Sequence, residues 1–178
     1  MDPDQRGERL RDDRDGPRGR RGCRRLYGAL ADDRTGDRGV RTLATVSVGD
    51  ELPELARVVS REDVKAYADA GGDQNPLHQD DAFARSLGFP GIIAHGMFTM
   101  GHMASAIVAW AGDSAAVVAL SAQFRAPVFI GETIVAGGRV RSIEDRPAIA
   151  VLETWVRVER DGSTEWPVKK GEARVRLA

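Results

Sequence analysis

The chain has 178 residues, a length that suits one domain and is short for two. A formal net charge of −1 argues against a strongly basic nucleic-acid-binding protein. The one cysteine, Cys23, excludes a disulfide within the chain and fits a reducing compartment. No apolar run reaches the roughly 18 residues of a membrane span, and the N-terminus lacks the apolar core of a secretory signal. The composition predicts a cytoplasmic, single-domain protein.

The first 42 residues differ in composition from the rest of the chain. They hold 12 Arg and 9 Asp/Glu, a net charge of +3, whereas residues 43–178 carry a net charge of −4. Because this stretch is poor in apolar residues and rich in Gly and Arg, it buries too little surface to offset the entropy of ordering. We therefore predict a disordered, solvated tail over 1–42 and a folded domain over 43–178.

Two other interpretations of the tail stand beside this one. An Arg-rich arm could bind nucleic acid, but acidic residues interleave with the arginines and Tyr27 is the one aromatic available for stacking, so we expect no nucleic-acid partner. A mis-assigned start is the other interpretation, because bacterial genes can begin at GTG and Val40 precedes the first patterned sequence.

The first predicted elements are two short helices separated by a turn. Ser60, with an acidic residue three positions later, is typical of a helix start and predicts a helix to about Ala70, ended by Gly71-Gly72. Residues 73–76 predict a turn, because Pro76 lacks a backbone donor and disfavours helical dihedral angles in the residue before it. A second helix is predicted near 80–87.

Residues 96–111 are the most informative helix. Only Thr99, His102 and Ser105 are clearly polar, and a helix that is apolar nearly all round is typical of a core. At about 24 Å, from a rise of about 1.5 Å per residue, it is too short to cross a bilayer. We predict a long buried helix over Gly96–Ala111.

After Gly112 the hydrophobic pattern changes to a period of two residues. Apolar and polar residues alternate in four stretches, with turn signals between them: 118–125, 134–141, 152–159 and 172–177. This pattern predicts strands, and successive strands so close in sequence would pair antiparallel. One buried helix and a run of such strands indicate an α+β fold with the sheet wrapped around the helix.

The first segment with candidate chemistry is Gly72–His78. It places the carboxylate of Asp73 and the imidazole of His78 on one proline-broken turn, where an acid and a base can share a water or a substrate hydroxyl. Taken alone, an Asx-type turn with a surface histidine explains the same residues.

The second segment is Ile92–Met97, which places Gly96 at the start of the long helix. Free N–H groups there carry partial positive charge and can stabilise a thioester oxygen as it becomes an enolate. Taken alone, a plain helix start with His95 packed beside it explains the segment. Together the two segments supply different parts of one mechanism.

Residues 72–78 resemble the signature of the MaoC-like family, which includes (R)-specific enoyl-CoA hydratases and 3-hydroxyacyl-ACP dehydratases. Within it, the chain is most similar to the catalytic subunit of actinobacterial 3-hydroxyacyl-ACP dehydratases. The resemblance covers about residues 46–178 and leaves the tail without a counterpart. It continues through Val48-Gly49-Asp50, Phe83-Ala84, Gly88-Phe89, Ile93-Ala94-His95-Gly96-Met97 and Thr99-Met100-Gly101.

The resemblance implies a single hot-dog fold and a hydro-lyase. Asp73 and His78 would be the catalytic pair, Asn75 would orient the reacting water, and Gly96 would supply an oxyanion N–H. The reaction would be reversible dehydration of (3R)-3-hydroxyacyl thioesters of ACP or CoA to trans-2-enoyl thioesters, in fatty-acid or related acyl-chain metabolism. We expect no metal or other cofactor, because His95 and His102 lie far in sequence from a second ligand pattern.

The proposed chemistry explains these residue types. Removing the weakly acidic α-proton needs a base of near-neutral pKa, which histidine provides, and the β-hydroxyl must gain a proton as it leaves. Asp73 and His78 can divide the two transfers, and the sequence leaves open which of them takes the α-proton.

The same fold also supports two other functions, and it can pair in two ways. A hot-dog thioesterase usually has an acid on the central helix, and 96–111 contains none. A non-catalytic subunit that binds acyl chains or completes a dimer would be favoured if Asp73 or His78 were absent. Because one sheet leaves a side of the helix uncovered, the family resemblance implies a homodimer or a heterodimer with a related hot-dog subunit.

Overall fold

The computed structural model describes residues 40–178, so the predicted tail lies outside the described residues up to residue 39. The helices are α1 (Arg61–Gly71), α2 (Asp81–Ser86) and α3 (Gly96–Ala111), with 3₁₀ turns at Pro76–His78 and Ser114–Ala116. The strands are β1 (Glu51–Val58), β2 (Val117–Ser121), β3 (Thr133–Asp145), β4 (Ala148–Arg160) and β5 (Ser163–Arg176).

The five strands form one antiparallel sheet in the order β1-β3-β4-β5-β2. The predicted pairing of successive strands is confirmed for β3 with β4 and for β4 with β5. It is wrong for β2, which pairs with β5 instead of β3. The reason is that residues 122–132 carry the chain from one edge of the sheet toward the other, held by single bridges from Phe124 to Val168 and from Ile93 to Phe129.

Strand β1 was not predicted, and β2 is shorter than the alternation of residues 118–125 suggested. β1 contains Pro53, and its register shifts between Leu52 and Leu55, which breaks the period of two. Such a strand is tolerated at a sheet edge, where one side needs no backbone donors. β2 ends at Ser121, and Phe124 keeps only its single bridge.

Helix α3 has the predicted bounds and contacts all five strands. Its inner face buries Met103, Ile107 and Trp110 in the core against the sheet. Its outer face is open, with Gly101 exposed and Met97 53% exposed. The predicted long buried helix is therefore confirmed on the side that faces the sheet, and the open side is the one expected to need cover, because one sheet covers only one side of a helix.

Local signals positioned α1 and α2 as predicted. Ser60 and Asp63 form a reciprocal capping box, in which each side chain accepts a hydrogen bond from the other residue's backbone N–H. Gly72 ends α1 in the left-handed conformation, with φ of +72°. Asp80 caps α2. Asp73 therefore follows directly on a fixed helix end.

The predicted α+β class, an antiparallel sheet around a central helix, is confirmed. Within the described part of the predicted tail, Arg41 is bonded to the domain: its Nε donates to Trp110 O at 3.0 Å, and its carbonyl oxygen accepts from the Ala178 N–H at 3.0 Å. No helix among residues 40–178 is long and apolar enough to span a membrane.

Candidate active site

The loop after α1 is shaped by two side-chain hydrogen bonds between residues two positions apart. Asp73 Oδ1 accepts from the Asn75 backbone N–H at 3.3 Å, and Asn75 Oδ1 accepts from the Leu77 N–H at 2.9 Å. Pro76 then opens the 3₁₀ turn that ends at His78. The Asx-type turn expected from the sequence is present, and it brings Asp73 and His78 to the same side of the domain.

The His78 ring is held by the segment that precedes α3. Its Nδ1 lies 2.8 Å from Ile93 O, and the Ile93 N–H donates back to Leu77 O at 3.3 Å. A carbonyl oxygen only accepts, so Nδ1 carries the proton of the neutral ring. The Nε2 atom of His78 is left as the basic atom.

A third side chain, His95, joins this pair. Its ring stacks on that of His78, with centroids 3.7 Å apart and an interplanar angle of 28°, and it is only 2% exposed. Its Nε2 lies 3.2 Å from Asp73 O and 4.0 Å from Asp73 Oδ2. Ligand-type atoms of Asp73, His78 and His95 all lie within 4.8 Å of one another.

The environment of His95 keeps its ring neutral. Burial lowers the pKa of His95, and a positive charge on His78 would lower it further. The carbonyl oxygen and carboxylate of Asp73 act in the opposite direction, and burial outweighs them.

The expectation that His95 lies far from other ligand residues is wrong, because the fold brings it against His78 and Asp73. The three groups nonetheless fit a metal poorly. His78 Nδ1 and His95 Nε2 face carbonyl oxygens, so each of these two nitrogens carries a proton and is not available as a metal ligand. The absence of a metal stays a prediction.

A pocket of about 350 Å³ opens beside His78 and the start of α3. Its wall is mostly apolar, with Arg125 as the charged residue among those that line it: His78, Phe89, Ile93, Ala94, Gly96, Thr99, Phe124, Arg125, Ala126, Pro127, Val128 and Pro167. Such a pocket suits a chain of apolar groups that ends in one polar reacting group.

Gly96 occupies the first position of α3, where a backbone N–H has no acceptor within the helix. A Cβ at this position would lie 3.4 Å from the ring of Phe124, so glycine leaves room between the helix end and the pocket wall. A carbonyl oxygen in the pocket could therefore approach this N–H.

The four predicted site residues lie in one region but differ in access. His78 and Gly96 line the pocket, whereas Asp73 and Asn75 do not. The Asp73 side chain is 54% exposed and lies beside the two histidines. The side-chain oxygen Oδ1 of Asn75 accepts a hydrogen bond within the turn, which leaves the Nδ2 group of the same side chain free to donate. Sequence reasoning missed His95 because no local spacing reveals a stack formed between two loops.

Comparison with known proteins identifies the family. The MaoC-like domain model matches residues 41–160. The mitochondrial 3-hydroxyacyl-[acyl-carrier-protein] dehydratase of Arabidopsis thaliana is 41% identical over 104 residues, 58% of this chain and 60% of the relative. The (R)-specific enoyl-CoA hydratase of Aeromonas caviae is 32% identical over 109 residues, 58% of this chain and 81% of the relative. Against the peroxisomal enoyl-CoA hydratase 2 of A. thaliana, the match spans 21% of the relative.

Solved structures confirm the expected hot-dog fold. A MaoC-like dehydratase superposes with a TM-score of 0.71 at 33% identity, over 79% of this chain and 43% of that one. An (R)-hydratase from A. caviae that is involved in PHA biosynthesis gives 0.68 at 28% identity, over 75% and 98%. Because the fold, the loop and the family model agree, the chain belongs to the MaoC-like domain family.

Proposed function

We propose that the chain catalyses the reversible dehydration of (3R)-3-hydroxyacyl thioesters to trans-2-enoyl thioesters. One observation carries the proposal: His78 lines the pocket together with Gly96 at the start of α3, and the Asp73 carboxylate lies beside His78. The names of the similar dehydratases and hydratases support the same reaction. The match covers 60% of the first of these relatives, so the activity is proposed from the chain's own site.

In the proposed complex the acyl chain lies in the apolar pocket and the thioester carbonyl oxygen faces Gly96. The N–H of Gly96 lies at the positive end of the α3 dipole. This group stabilises the oxygen most when it carries the negative charge of an enolate, so its contribution is largest in the transition state.

Two proton transfers complete the reaction. A base takes the α-proton. The electron pair of the broken C–H bond forms the double bond as the C–O bond at the β-carbon breaks. The leaving hydroxyl takes a proton and departs as water. His78 Nε2 and the Asp73 carboxylate divide these roles, and hydration is the same sequence reversed. The two groups act as one pair, in which either residue can make either transfer.

Asn75 has two roles in this proposal. Its carbonyl oxygen stabilises the turn by accepting from Leu77 N–H, and its Nδ2 group donates to the water that leaves or enters. Asn75 lies in the same short turn as Asp73, and this position supports its second role.

The experiment is hydration of enoyl-CoA and enoyl-ACP substrates of several chain lengths by the purified protein. We expect loss of the conjugated enoyl absorbance and a product of 3R configuration. Asp73→Asn, purified in parallel, is the matched control and should lack the activity. Release of free thiol would instead indicate a thioesterase, and acyl binding without turnover would indicate a non-catalytic subunit.

We also propose that two hot-dog units pair over the open face of α3, with the acyl channel between them. The exposed side chain of Met97 and the exposed, small residue Gly101 support this, because they leave apolar surface of α3 uncovered. A second copy or a related subunit without the catalytic pair would serve. A ChsH1–ChsH2 complex from Mycobacterium tuberculosis shares this fold at 20% identity, which is a likeness of fold alone. The proposed setting is cytoplasmic acyl-chain metabolism.

A further inference from the structure

We propose that His95 is a positioning residue of this site, a neutral ring that holds the Asp73 backbone at its edge and the His78 ring on its face. The proposal rests on the proposed function for its kinetic consequences, and its structural part can be tested without any activity.

The contacts of His95 join the two residues of the pair. Its edge donates to Asp73 O through Nε2, and its face lies 3.7 Å from the ring of His78. At 2% exposure, and absent from the pocket wall, it reaches neither water nor a bound acyl group directly. Any effect on the reaction must therefore act through Asp73 and His78.

The proton state of His95 follows from its partners. Asp73 O can only accept, so Nε2 carries a proton. Nδ1 is buried and has no hydrogen-bond partner among residues 40–178. A second proton there would create a buried positive charge whose N–H has no acceptor, at a high desolvation cost. The neutral Nε2–H tautomer is the form that this site accommodates.

The groups around His95 agree with a neutral ring. Asp73 and His78 face it from the loop, and the ring of Tyr67 faces it from α1 at a centroid distance of 4.9 Å. A charged His95 would repel a positive charge on the His78 ring, whichever of the two proton transfers His78 makes.

Two substitutions separate the edge contact from the stacked face. His95→Phe keeps a ring against His78 but removes the donor to Asp73 O. His95→Gln removes the stacked ring but can retain a neutral donor. We expect His95→Phe to lower kcat about tenfold or more with little change in KM, since misplaced catalytic groups slow the chemical step. His95→Gln should recover part of that loss.

His102→Phe is the matched control, because His102 is a second buried histidine, located within α3, whose Nε2 donates to a backbone oxygen, that of Leu55, at 2.9 Å. It lies outside the pocket wall. We expect this variant to lose thermal stability while keeping kcat. An equal loss of kcat in both Phe variants at matched folded fractions would overturn the positioning role.

NMR of the wild-type imidazole nitrogens tests the proposal independently of turnover and of the folding of any variant. We expect His95 to remain the neutral Nε2–H tautomer from pH 7 to 8. Protonation of His95 in this range, or an Nδ1–H tautomer, would overturn the proposal. If the protein hydrates no thioester but His95 shows the expected tautomer, only the proposed function fails.

Discussion

His78 donates its Nδ1–H to the carbonyl oxygen of Ile93 at 2.8 Å, a contact that joins the loop of Asp73 and His78 to the segment leading into α3. The contact fixes the tautomer and the direction of the ring. It also ties the position of His78 to that of Gly96, because Ile93 lies in the same short segment. The proposed proton-transfer group, His78, and the proposed oxyanion donor, Gly96, are thus held by the same segment of backbone.

The first prediction concerns the proposed pair. Asp73→Asn and His78→Ala should each lower hydratase turnover by about 100-fold or more, the scale usual for general acid–base groups. Neither side chain is part of the hydrophobic core, so both variants should remain folded. Turnover on an enoyl thioester and a thermal melt measure the two effects. Near-wild-type rates in either variant would remove that residue from the mechanism.

The second prediction concerns the N–H at the start of α3. Gly96→Pro removes this donor, and proline is favoured at the first position of a helix. The preceding residue, His95, has φ of −61° and ψ of 139°, which is the conformation that proline allows before it. We expect turnover to fall while acyl-thioester binding changes less.

Gly96→Ala is the control for this variant, because it keeps the N–H and its Cβ would make an ordinary contact with Phe124 at 3.4 Å. If a folded Gly96→Pro protein matched Gly96→Ala in turnover, the amide would not be the oxyanion donor. A loss shared by both variants would indicate crowding against Phe124 instead.

Local sequence signals were sufficient for the helices and for the loop. Ser60, Gly72 and Pro76 act on neighbouring backbone groups, so their effects can be inferred from adjacent residues. The capping box and the bounds of α3 were predicted for this reason. The proximity of Asp73 and His78 was inferred in the same way, because a single turn contains both residues, whereas their catalytic role was implied by the family resemblance and stays a prediction.

The errors concern contacts made across the fold. β2 pairs with β5 because the chain crosses the sheet after β2, on its way to β3, and no local pattern encodes that path. The stack of His95 on His78 arises only when the loop and the segment before α3 meet. The open face of α3 was expected, because one sheet covers only one side of a helix, but the residues that form this face could not be read from a pattern that is apolar nearly all round.

The third prediction tests the predicted tail. A chain that begins at Val40 should keep the melting temperature and activity of the full chain. A chain that begins at Leu43 should melt at a lower temperature, because it lacks the bonds of Arg41 to Trp110 and Ala178. Loss of stability or activity on removal of residues 1–39 alone would show that this segment contributes to the fold or the site.

The fourth prediction concerns the pH dependence of stability. Burial lowers the pKa of His102 and of His95 in the folded protein, whereas an unfolded histidine titrates near 6.5. The unfolded state therefore binds more protons as the pH falls through about 6.5, and the free energy of unfolding decreases. Each histidine contributes a slope of at most about 1.4 kcal/mol per pH unit.

Urea unfolding between pH 7.5 and 5.5 measures this slope. His102→Gln should reduce it, because glutamine does not titrate but can still donate to Leu55 O. Carboxylates with a lowered pKa, such as Asp63, lose their contribution to the free energy of unfolding at more acidic pH, so they do not affect the slope in this range. An unchanged slope in His102→Gln would show that His102 titrates normally in the folded protein.

The last prediction concerns assembly through the open face of α3. A Cβ on Gly101 would meet no atom within 4 Å, so Gly101→Glu fits the single chain and adds a better helix former. In a paired unit the same glutamate would be buried without a partner, which opposes association. We expect light scattering to give twice the chain mass for wild type and the single-chain mass for Gly101→Glu, with loss of activity. Ala66→Glu, at an exposed position of α1, adds the same charge and should leave both properties unchanged. A fully active wild-type monomer at assay concentration would contradict the pairing, because the proposed acyl channel forms between two units.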